Sequence, residues 1–172
     1  MDKRSNEVTF KGGPVTLVGP RLKVGDKAPD FKTLKGLDAV SLADTAGKAR
    51  MFSVVPSLDT PVCSTQTKKF EEGIAGLGDK AASYTVSLDL PFAQKRFCAA
   101  ENVQTMQTLS DVHNQSFGNN WGVLIEGLPL PLLARAVFVV DKNGTVTYVE
   151  YVKEVTSEPD YDAALAALTA AA

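Results

Sequence analysis

The sequence predicts an α/β layered fold, a sheet with helices on both faces, and three observations carry that expectation. First, apolar, β-favouring runs at Ala49 to Val55, Ala82 to Leu88 and Ala136 to Val140 alternate with segments whose apolar residues recur at helical spacing. Second, Ala136 to Val140 and Thr145 to Val152 flank Asp141-Lys142-Asn143-Gly144, a strong turn signal, and an Ala/Leu-rich helix follows at Asp160 to Ala170. Third, 172 residues with 44% hydrophobic and 22% charged side chains suit a single domain over 1–172, with no linker or internal repeat.

Taken in order, Val8 to Phe10 and Pro14 to Val18 are short strands around Lys11-Gly12-Gly13, an N-terminal hairpin that reads as an appendage before the main fold. A loop holding Gly25, Pro29 and Gly36 leads to the buried strand Ala49 to Val55, which Pro56 ends. From Cys63 the positions 63, 67, 70, 74 and 77 form a helical stripe, with Lys68, Lys69, Glu71 and Glu72 as the solvated side and Gly78 as the stop. After the strand Ala82 to Leu88, a helix from about Pro91 to Glu101 carries Cys98 late in its length, Pro suiting its first turn.

Charge and composition narrow the function. A net charge of −2 provides no basic field for a phosphate backbone, so nucleic acid is not an expected partner. MDKRSNEVTF lacks the apolar core of a signal peptide and LPLPLLARAVFVV is short and interrupted, so a soluble cytoplasmic protein with no membrane partner is expected. Two cysteines are too few for a secreted disulfide scaffold, and with His113 as the single histidine they make a poor zinc set. No metal or cofactor is expected.

The chemistry converges on Cys63. A thiol at a helix N-terminus sits beside unpaired N–H groups and the positive end of the helix dipole, which favours the nucleophilic thiolate. Pro56 and Pro61 fix the approach of the chain, and Thr60 offers a hydroxyl three residues before the sulfur. Residue by residue, other readings stay open. Cys63 and Cys98 could fill apolar stripes, because free cysteine is often buried. Arg135 could pair with a carboxylate. Trp121, Phe117 and Tyr84 read as packing residues, His113 as a surface or core histidine, and Asp59 as a carboxylate facing away from the thiol. A phosphatase loop would want arginine where Lys69 stands, and a thioredoxin-like exchanger would want C-x-x-C, which Cys63-Ser64-Thr65-Gln66 lacks. A non-enzymatic binding module or redox sensor is the remaining alternative.

Pro56, Thr60 and Cys63 fit the P-x-x-x-T/S-x-x-C motif, and with PSLDTPVCSTQT, FAQKRFCAAE, APDF, LLARAVFVVDKNG and TSEPDYDAAL the chain resembles the atypical two-cysteine peroxiredoxins along nearly its whole length. Departures include Asn102 where Gly is expected and an insertion-like EGLPLPLL at Glu126 to Leu133. The resemblance implies a thioredoxin-like fold of peroxiredoxin type, with a central mixed sheet flanked by helices and an N-terminal β-hairpin. It implies a peroxidase acting on hydrogen peroxide and organic hydroperoxides, with Cys63 attacking, Cys98 resolving through an intramolecular disulfide, and Thr60, Arg135 and Pro56 positioning and shielding. It implies thioredoxin as reductant and a homodimer. Two thiols 35 positions apart on different predicted helices also imply that the helix around Cys98 rearranges on oxidation.

Overall fold

The computed structural model describes residues 2–172. In chain order, β1 (Lys3–Phe10) and β2 (Gly13–Val18) precede β3 (Lys32–Lys35), β4 (Asp38–Ser41) and β5 (Ala49–Val54). Then come α1 (Pro61–Ile74), β6 (Ala81–Ser87), α2 (Pro91–Ala100), β7 (Gln107–Ser110) and α3 (Ser116–Asn120). The chain closes with β8 (Leu124–Glu126), β9 (Leu132–Leu133), β10 (Ala136–Val140), β11 (Val146–Tyr151) and α4 (Tyr161–Ala171).

The main sheet runs β11-β10-β5-β6-β7-β3-β4. β5, β6 and β7 are parallel, while β10 runs antiparallel to β5 and β3 antiparallel to β7, so the sheet is mixed. Every residue of β5 and β10 is buried, the burial expected of continuous apolar runs covered on both faces. One face packs Phe52, Val54, Val86 and Phe138 against Phe31, Phe117 and Trp121. There Phe117 of α3 stacks on Trp121 with centroids 4.7 Å apart, confirming these aromatics as packing residues. The other face packs Met51, Val137 and Val139 against Phe70 and Ile74 of α1 and Ala164 and Leu168 of α4, with Phe97 and Cys98 of α2 at its margin.

Several elements depart from the sequence expectation. The N-terminal hairpin forms, but it is no appendage: β2 pairs with β8, and β8 with β9, in a second sheet β1-β2-β8-β9. Val8 and Leu17 reach the main core, and the insertion-like Glu126 to Leu133 supplies the end of β8 and all of β9. The loop around Gly36 holds the small hairpin β3–β4, where Gly36 takes φ 61° in the tight turn. Helix α1 starts at Pro61 and ends at Ile74; a 3₁₀ segment continues to Lys80, broken at Gly78 by φ 54°. Asn102 ends α2 with φ 55°, a left-handed cap for which Asn is the usual substitute for Gly. The cap is closed by the Val103 N–H donating to the Cys98 carbonyl at 2.9 Å.

Asp111 anchors α3 beneath the aromatic cluster. Its carboxylate is fully buried and accepts the N–H groups of Phe117 at 2.9 Å and Gly118 at 2.8 Å. Burial pushes its pKa up to about 6, against those two hydrogen bonds, which pull it down. A carboxyl held more tightly protonated in the folded than in the unfolded chain gives stability that is full below about pH 4 and is lost as pH rises through about 6. Relative to Asp111→Asn, the native protein is therefore expected to lose about 2–3 kcal/mol across that window. Urea denaturation of both proteins from pH 4 to 7 checks this, and parallel stability curves would refute it.

Candidate active site

Strand β5 delivers the chain to Pro56, which is buried, and the following loop is held by Asp89. Its carboxylate accepts from the Ser57 hydroxyl at 2.7 Å, the Leu58 N–H at 2.8 Å and the Ser87 hydroxyl at 2.8 Å, tying the loop to the end of β6. Thr60 takes the N-cap position of α1 with extended backbone, and Pro61 fills the first helical position, where a missing N–H costs nothing. The Thr60 hydroxyl donates to the Ser57 carbonyl at 2.9 Å and caps no helical N–H. By helix geometry the Val62 and Cys63 N–H groups then lack intrahelical partners, and they lie in the turn that carries the sulfur.

Cys63 is fully buried with Val55, Leu58 and Phe97. Against it lies Arg135, 2% exposed, in the short link between β9 and β10. Its Nη2 donates to Cys63 Sγ at 3.3 Å, its Nη1 to Gln66 Oε1 at 2.9 Å and its Nε to the Val155 carbonyl at 2.7 Å. Gln66 is itself fixed, its Nε2 donating to Ser53 Oγ of β5 at 2.7 Å. A buried guanidinium is tolerable only where its N–H groups find acceptors, and here one acceptor is the Cys63 sulfur. The arrangement places a thiol, a fixed cation and unpaired backbone donors at one point, the set needed to attack an O–O bond and stabilise the departing oxygen.

Cys98 lies elsewhere. Both cysteines are free thiols, and Cys98 is half-buried on α2 with the cluster of the second sheet face. Burial pushes its thiol pKa up, against a hydrogen bond with Thr108, and the Glu71 carboxylate adds to the rise. The α2 residue that packs on Cys63 is Phe97, one position and about 100° around the helix from Cys98. Glu71, read from sequence as part of a solvated face, instead accepts the N–H groups of Gln104, Thr105 and Met106 at 2.6–2.7 Å. Burial tends to raise its pKa, but these bonds outweigh it and hold the pKa low. It thereby fixes the chain that follows α2.

A groove of about 760 Å³ separates the start of α1 from α2, with Leu58, Thr60 and Ser64 on one wall and Phe92, Arg96 and Phe97 on the other. Of the residues singled out from sequence, Cys63 and Arg135 are in direct contact, Pro56 is buried in the loop before α1, Thr60 is exposed at the helix N-cap on the groove wall, and Cys98 stands apart beside Phe97. Asp59 and His113 are exposed. Gln66, Ser53 and Asp89 were not anticipated. Gln66 lies three residues after Cys63, so the helical period puts it on the same face, a signal that was available. Among the described residues no cluster of His, Cys, Asp or Glu could hold a metal ion.

The Redoxin family model matches residues 23–165. The chain belongs to the Redoxin family. This redoxin is 55% identical over 157 residues to a thiol peroxidase of Bacillus subtilis, covering 91% of this chain and 92% of the relative. It is also 55% identical over 165 residues to a thiol peroxidase of Halalkalibacterium halodurans, covering 95% and 98%. A crystal structure of a peroxiredoxin-like protein from Aquifex aeolicus superposes with TM-score 0.90 at 46% identity over 98% of each chain. A thiol peroxidase from Chromobacterium violaceum, 17% identical with TM-score 0.84 over 95% of each chain, shares the fold. The redoxin has the thioredoxin-like fold of peroxiredoxins.

Replacing Gln66 by Met keeps its bulk but removes both polar ends, stranding a buried Arg135 N–H and the Ser53 hydroxyl. The expected cost is about 1–3 kcal/mol of stability, with slower alkylation of Cys63 by iodoacetamide at neutral pH. Denaturation and alkylation kinetics on the reduced protein check both effects.

Proposed function

We propose that this redoxin, a thiol-dependent peroxidase like the thiol peroxidases it resembles, acts through Cys63 as the attacking thiol and Cys98 as the resolving one. The observation that carries the reading is the 3.3 Å contact from Arg135 to a sulfur set in the first turn of α1. The Cys63 thiolate attacks one oxygen of a hydroperoxide. An S–O bond forms, the O–O bond breaks, and the departing oxygen takes a proton to leave as water or alcohol. Arg135 and the Val62 and Cys63 N–H groups are placed to receive the developing charge. In this reading Thr60, whose hydroxyl donates to the Ser57 carbonyl in the reduced chain, turns toward the peroxide when it binds, and the buried Pro56 helps to shield the sulfur from water. Hydrogen peroxide and organic hydroperoxides are the proposed substrates, the groove beside Thr60 with its Phe92 and Phe97 wall giving room for an organic tail.

Cys63 sulfenic acid is then resolved by Cys98: an S–S bond forms, the S–O bond breaks and water leaves. Because Phe97 occupies the position facing Cys63, α2 must open first, releasing the Val103 bond to the Cys98 carbonyl. Opening also exposes a thiol that burial keeps protonated, which raises its thiolate fraction when it is needed. A dithiol, for which we propose thioredoxin, returns two electrons and restores both thiols. We further propose one domain spanning residues 1–172, acting as a homodimer in the cytoplasm, where such a reductant is kept reduced. No helix among the described residues is long and apolar enough to cross a membrane.

Two variants test the division of labour in a peroxide assay coupled to a thioredoxin system. Cys63→Ser is expected to abolish turnover, whereas Cys98→Ser should give one fast oxidation and no recycling; normal cycling by Cys63→Ser would defeat the assignment. Hydrogen exchange tests the opening of α2. The amides of residues 90–101 are expected to lose protection on oxidation, and equal protection in both redox states would count against the movement.

A further inference from the structure

The Val155 carbonyl that holds Arg135 Nε belongs to the loop after β11, and that loop is bound to the tip of the N-terminal hairpin. Thr9 of β1 donates its N–H to the Lys153 carbonyl at 2.7 Å and accepts the Val155 N–H at 2.8 Å, a short parallel bridge. Glu154 lies between them and closes the junction with its side chain. Oε1 accepts from the Thr9 hydroxyl at 2.9 Å and the Gly12 N–H at 2.8 Å. Oε2 accepts from the Lys11 N–H at 3.3 Å and from Thr156 through its N–H at 2.8 Å and its hydroxyl at 2.6 Å. Hydrogen bonds from Thr156 first, then from Gly12 and Thr9, hold this carboxyl down at about 2, so it is charged at any physiological pH.

A connected path therefore runs from the hairpin turn through Glu154 to the Val155 carbonyl, the Arg135 guanidinium and the Cys63 sulfur. Arg135 Nε donates to this loop, so the position of the Val155 carbonyl bears directly on how the guanidinium faces Cys63 and Gln66. The loop is held to the hairpin by the Thr9 backbone bridge and by the bonds that Glu154 accepts from Thr9, Lys11 and Gly12, while two more from Thr156 brace the carboxylate within the loop. We propose that Glu154 is a positioning residue for Arg135, strapping the N-terminal hairpin to the loop whose Val155 carbonyl aims the guanidinium at Cys63. This rests on the reading that Arg135 assists peroxide attack at Cys63.

The test uses the reduced full chain. The Arg135 Nε–H is followed by ¹⁵N NMR for its shift and solvent exchange, and oxidation of Cys63 by hydrogen peroxide is followed in a single turnover. Glu154→Ala is expected to speed Arg135 Nε–H exchange and slow oxidation about 10-fold, within the roughly 100-fold that a misplacement of about 1 Å can cost. Glu154→Gln, which keeps one acceptor oxygen, should fall between it and the native protein. Glu7→Ala serves as control, because Glu7 ties Arg4 and Arg21 within the hairpin region and makes no bond to residues 153–156. It should lower stability while leaving both readouts within about twofold.

The proposal is overturned if Glu154→Ala leaves both readouts within twofold of the native protein, or if Glu7→Ala loses as much as Glu154→Ala. Should Glu154→Ala fail to fold, Thr156→Val removes the shortest bond to the carboxylate and is expected to shift both readouts in the same direction by about threefold. No shift in that variant overturns the proposal equally. A native protein whose Cys63 resists peroxide would sink the peroxidase reading alone, since the Arg135 exchange measurement decides the strap without peroxide.

Discussion

A guanidinium buried at 2% exposure, with no salt bridge among the described residues, is the constraint around which this molecule is organised. Unpaired, such a charge would be costly in an apolar interior. Arg135 is made tolerable by dividing its N–H groups among a backbone carbonyl, an amide oxygen and a sulfur. Those three acceptors come from the loop after β11 and from the first turns of α1, and Ser53 of β5 backs the amide. Strands β10 and β5 are neighbours in the sheet, which is why residues so distant in sequence converge. The site is therefore a product of sheet order as much as of the Pro-Thr-Cys motif. The same charge that the fold must accommodate is the one placed against the Cys63 sulfur.

The second tension lies in α2. As a structural element it is well finished, with Pro at its start, a left-handed Asn102 at its end and Glu71 gripping the chain beyond it. As a carrier of Cys98 it is in the wrong phase, presenting Phe97 to Cys63. A helix of ten residues is marginal away from its packing, and Leu90 and Phe92 at its N-terminal end are 55% and 67% exposed. The cap and the Glu71 bonds thus give the reduced state a defined closed form. They also concentrate the cost of opening in a few identifiable bonds, which is the physical requirement for a switch between two arrangements.

Much of this was legible in the sequence because burial on both faces leaves continuous apolar runs. Residues 49–55, 82–88 and 136–140 read as strands for that reason, and the Cys63 stripe read as a helix by its period. The short edges were not legible. KTLK and DAVS in β3 and β4 carry lysine and aspartate at exposed positions, and β9 is two residues long, so neither offers enough alternation to be seen. The hairpin was visible through Lys11-Gly12, but its place in a second sheet depends on pairing with β8, a contact no local pattern encodes. In the site, Cys63 was accessible from its place at a helix start, and Arg135 through the family resemblance. The helical period put Gln66 on the Cys63 face, but a polar residue on a helix is ordinarily assigned to solvent, and Glu71 was misread for that same reason.

Peroxide attack at Cys63, resolved within the same chain by Cys98, is the proposal on which the other roles depend. Its most direct test is peptide mapping of the reduced protein, quenched seconds after one equivalent of hydroperoxide. A peptide pair joined by a Cys63–Cys98 disulfide is expected, formed at the expense of both free thiols. Two untouched thiols would contradict it, and would leave the chain as a binding module that retains the peroxidase fold without the chemistry.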